Sequence, residues 1–253
     1  MRKLIAGSVA TLALSSPAHA LNQMVRPFQS ARSAAMGNVR YSTGLYDENF
    51  FGNPARAADN PTWRVDVFNL FVEANNSSVK NVGKLTEGGD KLKNFAETAG
   101  ENNHARIQTV FPAVYFPTFF SKRSALQLGF ITSSQVDLDL RKNFNVDPVA
   151  VVDAGPALTY ARRVIQDRLT VGATAHYMYR VATNNSYSTI DYISGKKFSL
   201  DNAAGEGSHF DFDLGLTHKI AWKPQNWKLE SAFTVNNIRG GKYDGNTPDL
   251  LDK

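Results

Sequence analysis

Cysteine is absent from the 253 residues. Its absence excludes disulfides, thiol nucleophiles and thiolate metal sites, and leaves stability to strand pairing and burial. No apolar run approaches the roughly 20 residues that a membrane-spanning helix needs. Clustered basic tracts are missing too: 28 Lys and Arg against 23 Asp and Glu are spread along the chain. The net charge of +5 and the isoelectric point near 9.3 therefore give no argument for nucleic acid as a partner. Catalytic spacing is also lacking. His176, Asn185 and Ser186 are the nearest nucleophile-and-base set, but nothing in their spacing enforces contact, so no catalytic residue is assigned and the chain reads as a non-enzyme. His209 and His218 are an odd number of positions apart and fall on opposite faces of one strand, which speaks against a metal site shared by those two. No metal and no cofactor is implied.

What is present begins with an export signal. Arg2 and Lys3 form a charged start, Leu4 to Leu14 an apolar stretch, and Ala18-His19-Ala20 a small-x-small cleavage site. The signal covers 1–20, the mature chain is expected to begin at Leu21, and the formal charge falls from +5 to +3 on cutting.

Period-two alternation is the dominant pattern after residue 63. In His209-Phe210-Asp211-Phe212-Asp213-Leu214-Gly215-Leu216-Thr217 one face carries Phe210, Phe212, Leu214 and Leu216, and the other Asp211 and Asp213. Acid on one face and unbroken apolar surface on the other suit a wall with lipid outside and water inside. Similar alternation predicts strands near 64–73, 105–116, 124–134, 135–142, 154–164, 168–181, 187–193, 208–221 and 227–238. Several exceed the usual globular strand length and suit a tilted membrane span.

Between the strands, 75–103 and 143–148 read as polar connections, the first with a weakly amphipathic stretch at 91–99. Short turns are expected at Arg123-Ser124, Gln166-Asp167 and Pro224-Gln225-Asn226. Tyr115, Phe116, Phe119, Phe120, Tyr177, Tyr179, Trp222 and Trp227 suit interfacial girdles. An inner-face aromatic set of an ordinary soluble periplasmic β-sandwich is the alternative.

The expected fold class is all-β: an antiparallel transmembrane β-barrel of 64–253, with a small N-terminal plug at 21–63. Within the plug, 29–39 reads as a short helix ended near Gly37, followed by turns at Gly52-Asn53-Pro54-Ala55 and Asp59-Asn60-Pro61. Asp137, Asp139, Arg180, Asp211, Asp213 and Lys228 are expected to share the wet interior as a charge network that braces the wall.

Two segments carry a family resemblance. Ala31-Arg32-Ser33-Ala34-Ala35-Met36-Gly37-Asn38-Val39, and then Tyr46-Asp47-Glu48-Asn49-Phe50-Phe51-Gly52-Asn53-Pro54-Ala55, resemble the start of FadL-type outer-membrane proteins, including the PorV-like and conjugal-transfer TraF-like branch. Val235-Asn236-Asn237-Ile238-Arg239-Gly240-Gly241 is similar to a strand end of the TraF-like branch. The resemblance implies an N-terminal hatch inside a barrel, residence in the bacterial outer membrane, contact with its lipid, and passage of hydrophobic small molecules. The alternative is a structural or secretion/conjugation accessory barrel that binds envelope proteins without transporting.

Family transporters have more strands and longer chains. A C-terminal barrel strand of the family also finishes on an aromatic residue, whereas this chain finishes Pro248-Asp249-Leu250-Leu251-Asp252-Lys253, so an incomplete or smaller barrel is expected. Phe28, Phe50 and Phe51 are the candidate apolar ligand contacts of the hatch. Asn53, Pro54 and Ala55 are expected to shape it.

Overall fold

Alternation puts every second side chain of a strand on one side, and the folded sheet sorts its residues by that rule. The computed structural model describes residues 28–37, 39–86, 97–98, 100–140, 145–165, 168–184, 187–188, 205–220, 229–240 and 243–245. The export signal, Asn185, Ser186, the 166–167 and 224–226 turns, Trp222, Trp227, Lys228 and the terminal 248–253 lie outside them.

Helical turns come first: α1 at Ala31–Ala35, then two 3-10 turns, η1 at Tyr46–Phe50 and η2 at Pro54–Asp59. Short strands β1 (Arg64–Asp66) and β2 (Asn69–Ala74) precede helix α2 (Asn76–Thr86). Long strands follow: β3 (Asn102–Phe116), β4 (Ser124–Leu140), β5 (Asn145–Ile165) and β6 (Leu169–Asn184). The remainder are β7 (Tyr187–Ser188), β8 (Gly205–Ile220), β9 (Leu229–Val235) and β10 (Asp244–Gly245). All ten join one antiparallel sheet, so the fold is all-β.

The long strands β3, β4, β5, β6 and β8 each pair with the next long strand, as in an up-and-down meander. β1 and β2 both pair with β3, and the gap between them falls opposite Phe111-Pro112, where the β3–β4 register also shifts between Val110 and Ala113. Pro112 has no N–H to give a ladder, so the irregularity sits where pairing is weakest. β9 and β10 likewise share the far side of β8. Among the described residues, the β1/β2 edge and the β9/β10 edge do not pair with each other, and the sheet is open.

Three expectations change. The predicted strands 124–134 and 135–142 are one strand, because Ile131, Ser133, Gln135 and Asp137 all stay in phase on the buried face. Residues 145–148, predicted as a connection, belong to β5: all but the first pair with β4, Pro148 opposite Leu138. The 75–103 connection, read as polar, holds a helix at its start, while 91–96 and 99 of its amphipathic stretch lie outside the described residues. Asn75 caps α2 by accepting from the Ser78 N–H at 2.8 Å, and only Glu97 and Thr98 of the predicted stretch are described as helical.

The two faces of the sheet are inverted relative to a water-soluble domain. Most inward positions are polar or small: Gln108, Gln127, Thr159, Thr174 and Asp211 are each fully buried. Outward positions are large and apolar: Leu128, Phe130, Val136, Val152, Leu158, Val171, Phe210, Phe212 and Leu214 are all more than a third exposed. Along β8 the contrast is sharpest, with Leu214 50 % exposed beside Asp213 at 1 %.

The inward face is covered by the N-terminal turns, and small residues make room for them. Ala125, Ala161, Gly172, Gly215 and Thr234 are successive partners in one row across β4, β5, β6, β8 and β9. Ala57 and Ala58 of η2 pack on Ala125 and Ala161. A Cβ at Gly172 would stand 2.5 Å from the Ala55 nitrogen, and one at Gly215 would stand 2.1 Å from Asn53 Oδ1.

Gly215→Val is therefore expected to lift η2 from the sheet at a cost of about 1–3 kcal/mol or more. Ala173→Val, on the outward face of β6, should leave stability unchanged within about 0.5 kcal/mol. Limited proteolysis combined with chemical unfolding reads both: the N-terminal segment should become cleavable in the first variant alone.

Candidate functional site

The plug is held together by its own side chains. Ser30 caps α1 by accepting from the Ser33 N–H at 2.9 Å, and Gly37 just beyond the helix takes φ +67°, which suits glycine. Buried Glu48 accepts from the Arg32 guanidinium at 2.8 Å, from the Leu45 N–H at 2.9 Å and from the Ser30 hydroxyl, tying α1 to η1. Asn53-Pro54-Ala55 is the start of a 3-10 turn: Asn53 accepts from the Ala55 N–H at 3.0 Å, and Pro54 needs no partner for its nitrogen at the first helical position. The Asn53 amide also donates to the Leu216 carbonyl at 3.3 Å, so the same side chain caps η2 and fastens it to β8. From β9 and its end, Thr234 and Asn236 donate to the Gly52 carbonyl.

Phe28, Phe50 and Phe51 lie together in one buried apolar cluster with Val110, Ala113, Tyr115, Ile131, Ala157 and Met178. Phe50 rests over Gly129, and its ring centroid is 6.0 Å from that of Tyr115. Phe51 is 6.4 Å from Phe28 and 5.2 Å from His176. Tyr115, expected in an interfacial girdle, instead points inward with no exposure; it is in step with Ala113, and with Val110 only once the register shift between 110 and 113 is counted. Phe120 is 94 % exposed, and Tyr177 and Tyr179 lie on the outward face.

Among the described residues, the interior charges meet their partners in separate groups. Asp137 meets His104 Nδ1 at 2.5 Å and accepts from Gln135 at 2.6 Å. Arg180 binds Asp153 with two parallel hydrogen bonds of 2.7 and 2.9 Å and stacks 4.1 Å above the Tyr243 ring. Asp211 accepts from His209 Nε2 at 2.9 Å, while Asp213 lies 3.7 Å from His176 Nδ1. Asp139 lies on β4, but its side chain, like Lys228, is outside the described residues. Sequence reasoning missed Asp153, His104 and the histidine pair, because each meets its partner across strands. Asp153 could have been found from its place in step with Val151, Ala157 and Thr159 on the small, inward face of β5.

Asp47, in η1, is the plug's unusual carboxyl. Burial, reinforced by neighbouring Glu48, pushes it up from 3.8 to about 6, although Asn69 donates to it at 2.9 Å. Its folded value lies above its unfolded one, so its contribution to stability is present below about pH 4 and is lost as pH rises through 6.

Compared with known proteins, the chain matches no family model, no curated protein and no solved structure. The FadL-type resemblance therefore rests on the short motifs at 31–39, 46–55 and 235–241.

Two outcomes follow for the interior. Asp47→Asn should leave stability unchanged near pH 4 and raise it at pH 8 by about 1–3 kcal/mol, because the ionised form is the one that burial penalises. Denaturant titrations at the two pH values compare them. Arg180→Met alone should cost about 3–5 kcal/mol by leaving Asp153 buried without its partner. Adding Asp153→Asn should recover part of that loss, and a double-mutant cycle measures the coupling.

Proposed function

We propose that the chain is a bacterial outer-membrane protein of the plugged β-barrel type, exported through a cleaved signal, whose sheet faces lipid and whose N-terminal turns fill the interior. The observation that carries this reading is the inverted polarity of the sheet. Transferring the outward face from water to hydrocarbon is favourable by on the order of 1 kcal/mol for each half-exposed Leu, Val or Phe. An apolar surface of this breadth on a soluble monomer would be an aggregation site.

The dimensions support the same reading. On β8 the outward positions from Ser208 to Leu216 carry no charge and are bounded by Glu206 and His218. Nine residues rising about 3.3 Å each and tilted about 40° cover roughly the 25 Å apolar band of such walls. Tyr177 and Tyr179 stand toward one end of that band, where a ring can be buried while its hydroxyl stays wet. A wall of this kind needs its edge N–H and C=O groups paired within the membrane, so the reading requires closure of the β1/β2 and β9/β10 edges.

Within that frame, the reading favoured is passage of hydrophobic small molecules, with the cluster of Phe28, Phe50 and Phe51 as the apolar station in an otherwise polar interior. An accessory barrel without transport is the second reading. It is favoured by the close seating of Asn53 and Pro54 on Gly172 and Gly215, which suits a fixed brace.

Fractionation of expressing cells tests the membrane assignment: recovery with the outer membrane, extraction only by detergent, and a gel mobility that changes on boiling are expected. Recovery as soluble, unshifted protein would overturn it. Uptake of an apolar dye by a deletion strain separates the two functions. Transport predicts a deficit restored by the wild-type gene and altered by Phe51→Ala, whereas the accessory reading predicts no deficit.

A further inference from the structure

We propose that His176, His209 and Asp211, with Asp213 beside His176 as the nearest further carboxyl group, bind one divalent transition-metal ion of the zinc type. One ligand atom from each of the first three lies within 4.8 Å of the others, and all three residues are buried. The strand register produces this meeting. His176 of β6 is the direct partner of Asp211 of β8, His209 lies opposite Met178, and the inward-facing side chains of both strands converge.

Ligands about 2.0–2.2 Å from a tetrahedral ion stand roughly 3.3–3.6 Å apart, so side-chain rotation by about 1 Å closes the set. His176 Nδ1 and Asp213 Oδ2, at 3.7 Å, are already near that spacing.

Three further observations point to an ion rather than to a hydrogen-bonded cluster alone. His176 is 2 % exposed, and its Nδ1, directed toward Asp213, is a buried atom without a hydrogen-bond partner. Each carboxylate is also oriented from behind. Asp211 Oδ1 accepts from the Phe212 and Arg239 N–H groups, both at 2.7 Å, and Asp213 Oδ1 accepts from the Asn237 N–H at 2.7 Å. One oxygen of each is thereby fixed by backbone, and the Oδ2 atoms face the histidines, which is how outer-shell donors prepare carboxylate ligands. Finally, the two adjacent carboxyl groups are 0 % and 1 % exposed, so two negative charges held there together call for a counter-charge. A divalent ion balances such a pair.

Nitrogen and carboxylate donors without thiolate favour zinc, cobalt or nickel over soft ions. The ligands lie on one face of two paired strands, so the site forms whether the sheet sits in lipid or in water.

Co2+ titration of the purified, chelator-treated full chain in detergent micelles tests the site. One ion per chain is expected, with a visible ligand-field band and two paramagnetically shifted imidazole N–H resonances. His176→Gln and His209→Gln should each weaken binding about tenfold or more, by at least the loss that outer-shell changes cause. His218→Gln, on the opposite face, should bind as the wild type does. A folded wild-type protein that takes up no Co2+ overturns the proposal, as does a band that survives both Gln variants and disappears with His104→Gln or His218→Gln. If the Gln variants fail to fold, the wild-type resonances decide: two shifted imidazoles support the site, and none overturns it.

Discussion

The close approach of η2 to the sheet is the constraint on which the rest of the molecule depends. Backbone meets backbone at Pro54–Gly172 and side chain meets backbone at Asn53–Gly215, at separations that no Cβ could share. A five-strand row of small residues makes the trough, and an alanine-rich turn fills it. With η2 seated, Phe50 and Phe51 are delivered to Gly129 and His176, and the Gly52 and Phe51 carbonyls reach Thr234 and Asn236. The plug is thus registered against β4, β6, β8 and β9 together.

That seating explains how a polar inner face can be buried at all. A hydroxyl, amide or carboxylate removed from water without a partner costs about 1–3 kcal/mol, and more when charged. The inner face meets this cost mostly across strands: Thr159 with Thr174, Gln108 with Ser133, Asp153 with Arg180, His104 with Asp137. Gln108 also accepts from the backbone N–H of Gln29, so plug and wall complete one another's hydrogen bonding. The outward face makes fewer such demands, being largely apolar and uncharged along the middle of the long strands.

Local pattern made much of this legible and left the rest hidden for a physical reason. Which face a residue takes depends only on its parity within a strand, so the inward assignment of Asp137, Arg180, Asp211 and Asp213 could be read from the chain alone. Which residues meet depends on register between strands. A single strand carries no record of that register, so neither the Arg180–Asp153 pair nor the His176–His209 neighbourhood follows from the chain alone. Parity itself fails where a strand is irregular. The interruption at Phe111-Pro112 turned Tyr115 inward, against the expectation of an interfacial ring. Polar composition misled at 76–86, where Asn and Ser read as loop formers although Asn75 uses that same chemistry to start a helix.

The inverted polarity of the sheet is the central claim, and the absence of native cysteine allows a direct test of it. Single cysteines carrying a nitroxide label would be placed in turn at Leu158, Val171, Phe212 and Leu214 on the outward face, and at Thr159, Thr170 and Thr174 on the inward face. Collision rates with oxygen, which concentrates in lipid, and with a water-soluble nickel complex would then be measured in reconstituted bilayers. The account predicts high oxygen and low nickel accessibility at the outward sites, with low accessibility to both at the inward sites beneath the plug. Nickel accessibility at the outward sites equal to that of an exposed loop would contradict it.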